Sequence, residues 1–163
     1  MNAAVIAVRY ARALLGYVLG TPSEAECYAQ VERIAASIAA LPEFHACLGD
    51  PIACSPARRL ALMSAAVDGR ELVPELVLFV SLVEESGRTE LLEWMFKDFL
   101  DLYRKEKGIC LASLTTASEP AGDFLQSIRN LILSQGWSQV DIRRSLDPDL
   151  IGGFVLTVDG ARM

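Results

Sequence analysis

A single histidine, His45, serves the whole 163-residue chain. Every Ser-His-Asp or Cys-His arrangement would need it, and nothing near it reads as the strained turn that presents a nucleophile. His45, Cys47 and Cys54 together offer three metal-like ligands without a fourth, so a helix-end histidine beside buried cysteines is the better reading and no metal is expected. No C-x-x-C pair occurs among Cys27, Cys47, Cys54 and Cys110. All four lie in apolar surroundings, which predicts reduced core thiols in a reducing compartment. Basic residues are in deficit, 15 against 21 Asp and Glu, for a formal net charge of -6. Arg58-Arg59 and Arg143-Arg144 are isolated pairs, and without a basic stripe nucleic acid is not an expected partner. A phosphate cradle is missing too: Gly152-Gly153 lies between a turn and a strand, with no helix start or lysine behind it. These glycines read as a turn demanding positive φ or close backbone approach. Glu84-Glu85 and Asp98 with Asp101 have the right chemistry for acid–base work but fall on solvated helix faces. No catalytic residue or cofactor is expected. Finally, no charge-free run approaches the roughly 18 apolar residues of a membrane span.

What is present is helical patterning. Hydrophobic residues make up 52%, enough for a folded chain of one domain or two small ones. The stretch Asn2–Gly20 reads as a helix with more apolar surface than one neighbour can cover, since only Arg9 and Arg12 are charged. A helix apolar most of the way round is buried on more than one side, and a partner helix is a natural cover for the second. Arg9 and Arg12 also interrupt any signal-like run, and no small-residue cleavage site follows. An intracellular chain, soluble or peripheral to a membrane, is expected.

Further helices follow over about 23–40, 43–48, 55–67, 71–85 and 89–107, punctuated by Gly20-Thr21-Pro22, Leu41-Pro42, Gly49-Asp50-Pro51, Asp68-Gly69, Ser86-Gly87 and Gly108. The helix near 71–85 is, like the first, apolar beyond a narrow stripe. After Gly108 the texture changes. Ile109–Thr116 reads as a buried strand, Asp123–Ser134 as a helix, Val140–Leu146 as a half-buried strand and Gly152–Val158 as a third strand ending in an Asp159-Gly160 hairpin signal. The expected fold is mainly α: a six-helix bundle over 1–107, then a small α/β module over 108–163.

Four local patterns together resemble one family. They are Arg9-Tyr10-Ala11 with Ala13-Leu14, Asp50-Pro51 before the Ser-Pro helix, Gly87-Arg88 with Leu91-Leu92 and Phe99, and Asp147-Pro148-Asp149-Leu150-Ile151-Gly152-Gly153-Phe154. Their order and spacing are similar to the delta subunit of the rotary ATP synthase, the oligomycin-sensitivity-conferring protein, over nearly the whole chain. The resemblance implies a non-catalytic stator subunit. It would link the catalytic head, through an alpha subunit with beta chains beside it, to the membrane-anchored b subunit of the peripheral stalk, and so resist rotor torque. It further implies that an alpha-subunit N-terminal helix docks between the first and fifth helices. Tyr10, Ala13, Leu14 and Tyr17 would line one wall of that groove, and Leu76, Phe79 and Val83 the other. The family continues past the Gly-Gly strand, so the stalk-binding module looks short here. The lack of a leader before Arg9-Tyr10-Ala11 looks bacterial, implying the cytoplasmic face of the inner membrane. The rival is a free-standing helical adaptor using the same groove for another partner.

Overall fold

A computed structural model describes residues 2–50, 52, 54–150 and 152–158, with the backbone of 161–162. Pro51, Ile151, Asp159 and Gly160, which figure in the sequence reading, lie outside the described residues. The fold is mainly helical with a small sheet. Two compact units divide the chain, one ending at Tyr103 and the other beginning at Arg104.

The first unit is helical. α1 (Ala3–Val18) starts where the Asn2 side chain accepts the Ala4 backbone N–H at 3.3 Å. α2 (Glu24–Ala40) and α3 (Pro42–Gly49) follow, with Leu41 between them because it precedes proline. α4 (Pro56–Ala66) is capped by Ser55, whose hydroxyl accepts from the Arg58 N–H, and has proline at its first position. α5 spans Pro74–Glu85, starting three residues later than the periodicity suggested. Pro74 takes the first helical position, where its missing N–H costs nothing, so residues 71–73 stay outside the helix. A 3₁₀ turn, Thr89–Leu91, leads into α6 (Leu92–Lys107).

The core of this unit is built at helical spacing. Ala7, Ala11, Leu14 and Val18 come from α1, Cys27, Val31, Ile34 and Ile38 from α2, and Leu92, Met95, Phe96 and Phe99 from α6. Each large side chain taken from water contributes about 1.5–3 kcal/mol. Two polar side chains are buried with their bonds made. Gln30, 3% exposed, donates to the Glu71 carbonyl and accepts from the Val73 N–H, both at 2.9 Å, and so holds the non-helical lead-in to α5. Arg59, also 3% exposed, donates through Nε to Glu84 at 2.8 Å and through Nη1 to the Cys54 carbonyl at 2.7 Å.

One expectation is corrected. Cys47 and Cys54 are joined in a disulfide instead of standing as reduced thiols. The last turn of α3 and the following loop bring their Cα atoms to 5.1 Å, inside the range that a disulfide spans. Cys27 and Cys110 remain as buried thiols.

The second unit has a sheet in the order β2-β1-β3-β4. β1 (Ile109–Thr116) runs parallel to β2 (Gln139–Leu146), and α7 (Gly122–Leu133) makes the crossover between them. β3 (Phe154–Val158) is antiparallel to β1, and β4 (Ala161–Arg162) pairs with β3. One face of the sheet presents Cys110, Ala112, Leu114, Val140, Leu156 and Val158, and α7 covers it with Ile128 and Ile132. The alternation expected of the second strand fades: Val140 is buried and Ile142 partly so, but Leu146 is 63% exposed.

Two outcomes follow from these buried groups. Replacing Arg59 with Met leaves the Glu84 carboxylate and the Cys54 carbonyl without their cation, so urea unfolding should show a loss on the order of 3 kcal/mol. Burial, helped by the Glu75 carboxylate, pushes the Cys27 thiol up to about 12 from its usual 9.0. The folded state therefore holds a proton that the unfolded state loses, and stability falls as pH rises through that window. Cys27→Ala should flatten this decline in stability curves taken above pH 9.0.

Candidate functional site

α1 buries a narrow stripe and leaves much of its apolar surface outside. Val5 and Tyr17 are more than half exposed, as are Leu78 and Leu82 on α5. Between the two helices lies a cleft of about 310 Å³, lined by Ile6, Arg9, Tyr10, Ala13, Leu82 and Arg88. Beneath it runs a file of aromatic rings. Tyr10 meets Phe79 edge-on at 6.4 Å, and Phe79 meets Phe96 at 6.2 Å. The cleft floor is thus continuous with the core.

Arg88 reaches this cleft because of how α5 ends. The Gly87 N–H bonds the Glu84 carbonyl at 2.9 Å and the Arg88 N–H bonds the Val83 carbonyl at 3.1 Å, the paired bonds of a Schellman cap. Gly87 takes φ 66°, a conformation that glycine adopts without a Cβ penalty. The chain reverses, and Arg88 Nη1 donates to the Tyr10 hydroxyl at 2.8 Å. The Ser86 side chain, and after it Arg88, hold that hydroxyl below its usual pKa. The guanidinium of Arg88 also lies over the Tyr10 ring, 5.6 Å from its centroid. Neither Arg9 nor Arg88 is in a salt bridge among the described residues. The cleft therefore combines an apolar floor with two cationic rims, in a chain of net charge -6.

The residues named from the sequence divide by burial. Tyr10 and Ala13 line the cleft, and Tyr17 is exposed on the same helix. Leu14, Leu76, Phe79 and Val83 are packed into the core, none more than 6% exposed. The missing signal was phase: Leu78 and Leu82 are four apart and share one face of α5, whereas Leu76, Val80 and Val83 form the inward stripe. Arg88 was noticed as part of a pattern, but its approach to Tyr10 depends on the reversal at Gly87.

The remaining motif residues are architectural. Ala11 is fully buried, so its small side chain lets α1 pack closely. Asp147 bonds through its N–H to the Thr116 carbonyl at 2.9 Å, and its carboxylate accepts the Asp149 N–H at 3.1 Å. With Pro148 fixing φ, this closes the turn after β2. Gly152 and Gly153 take φ 105° and 80°, so of the two demands the sequence allows, positive φ or close backbone approach, the structure shows the first. Elsewhere, His45 Nε2 lies 3.3 Å from a Glu93 carboxylate oxygen, and the disulfide occupies both sulfurs of the metal-like trio.

The sequence matches the family "ATP synthase delta (OSCP) subunit" over residues 6–163. The chain belongs to this family. It is 34% identical to ATP synthase subunit delta of Phocaeicola vulgatus over 164 aligned positions, covering 100% of this chain and 88% of the relative. It is 30% identical to the subunit of the same name from Bacteroides fragilis, with the same coverage. A chain in a cryo-EM structure of the Toxoplasma gondii mitochondrial ATP synthase hexamer shares the fold, with TM-score 0.69, 21% identity and coverage of 94% and 85%. As a member of this family the chain is a peripheral-stalk stator subunit, structural and not itself catalytic. No described helix is long and apolar enough to cross a membrane, and the subunit is a peripheral component of a membrane-bound complex.

Gly87→Ala tests the link between cap and cleft. Forcing a Cβ into φ 66° should lower stability by about 1 kcal/mol in urea titrations. It should also raise the Tyr10 hydroxyl pKa toward its ordinary value, read by ultraviolet difference titration against Tyr10→Phe.

Proposed function

We propose that the α1/α5 cleft receives the N-terminal helix of an alpha subunit of the catalytic head. The second unit would grip the b subunit of the peripheral stalk at the cytoplasmic face of a bacterial inner membrane. On this reading the six helices α1–α6 form the head-binding bundle and the sheet with α7 forms the stalk-binding module. The observation that carries the reading is the cleft itself. Its apolar lining from Ile6, Ala13 and Leu82 suits the face of an amphipathic helix, and its Arg9 and Arg88 rims select a helix with an acidic side chain beside that face. A stator holds for many turnovers, and simultaneous contacts to head and stalk raise the effective concentration of each, so moderate single affinities suffice.

Calorimetric titration of the full chain with the alpha N-terminal helix from the same organism tests this reading. One-to-one binding should weaken by about tenfold or more, roughly 1.4 kcal/mol, in Ala13→Asp, which is exposed and leaves the core untouched. Unchanged binding by Ala13→Asp would overturn the docking site.

A further inference from the structure

On the other flank of α5 lies a larger groove, about 920 Å³, formed with α4. Leu60 of α4, Leu72 just before α5, and Leu78 and Leu82 of α5 line it, with Glu71 and Glu85 among its other lining residues. Leu78 is 62% exposed and Leu82 52%. α5 has 12 residues, so its axis is about 18 Å long. Glu71 precedes this helix and Glu85 is its last residue, so the two carboxylates bracket the groove lengthwise. Both are exposed, and neither is in a salt bridge among the described residues.

We infer that the α4/α5 groove is a second docking surface, taking an amphipathic helix of another chain that carries lysine or arginine near both ends of its apolar face. Charge distinguishes it from the α1/α5 cleft. That cleft is rimmed by Arg9 and Arg88, and this groove by two carboxylates, so one charged helix does not suit both. A second copy of this chain is a poor occupant, because its net charge of -6 repels an acidic groove. A helix of about four turns is long enough to place one cation at each carboxylate while its apolar face covers the leucines. The inference does not depend on which partner fills the α1/α5 cleft.

The test uses the full chain and two labelled synthetic peptides of about 18 residues. They share a leucine face at three- and four-residue spacing; one carries lysine near both ends and the other glutamate. Fluorescence anisotropy should show saturable one-to-one binding of the lysine peptide and at least about tenfold weaker binding of the glutamate peptide. Leu60→Asp should weaken the lysine peptide by about tenfold or more, and Ala13→Asp should leave it within about twofold. Glu71→Lys with Glu85→Lys, a surface change that leaves the core alone, should reverse the preference. Absence of saturable binding, equal binding of the two peptides, or sensitivity to Ala13→Asp but not Leu60→Asp would overturn the inference. So would concentration-dependent self-association, seen by sedimentation and abolished by Leu78→Asp, which would make the occupant a second copy.

Discussion

The close approach of α1 to the bundle is the constraint on which the candidate site depends. Ala7 and Ala11 are fully buried where α1 meets its neighbours, and the distance between packed helices is set by the side chains at the contact. Small residues on the inward face bring the helix in. Larger residues, Val5, Ile6, Tyr10 and Tyr17, are displaced to its shoulders and outer face. Tyr10 then lies over Phe79 at the boundary between core and cleft. A larger residue at position 11 would push α1 outward and separate Tyr10 from both Phe79 and Arg88.

Around that contact the unit is tied by a few buried polar groups at its connections. Gln30 fastens the lead-in to α5, and Arg59 joins α4 to α5 through Glu84 while also holding the Cys54 carbonyl. The disulfide adds a covalent link between α3 and the start of the α4 segment. α5 is thus fixed at its N-terminal lead-in and near its C-terminal end, and its outer face with Leu78 and Leu82 stays free of the core. The grooves on both flanks of α5 are therefore carried by a helix that is held at both ends.

Much of this was legible in the sequence because the signals are local. Proline after Leu41, glycine after Ser86 and the Asp147-Pro148 turn mark boundaries through backbone sterics alone, and the expected helices and strands lie within a few residues of their spans, although α5 starts at Pro74 where the periodicity suggests Glu71. The apolar excess of α1 and α5 was legible too, since it needs only composition. Which of those residues face inward was not. Tyr10 and Ala13 were placed in the groove and line the cleft, but Leu14, Leu76, Phe79 and Val83 are buried. The phase of a nearly all-apolar helix is set by its packing partners and not by its own pattern. The disulfide was missed for a related reason: seven residues separate Cys47 from Cys54, and whether such a loop closes depends on how α3 ends. Arg88 over Tyr10 joins residues 78 apart in sequence, a contact that no local signal carries.

The most direct test of the docking proposal is photo-cross-linking in the assembled enzyme, with a photoreactive phenylalanine analogue in place of Ala13 and the adduct mapped by mass spectrometry. If the alpha-subunit helix lies in the α1/α5 cleft, illumination should yield one dominant adduct, to the N-terminal helix of an alpha chain. An adduct to another subunit, or none while the variant still assembles, would contradict it.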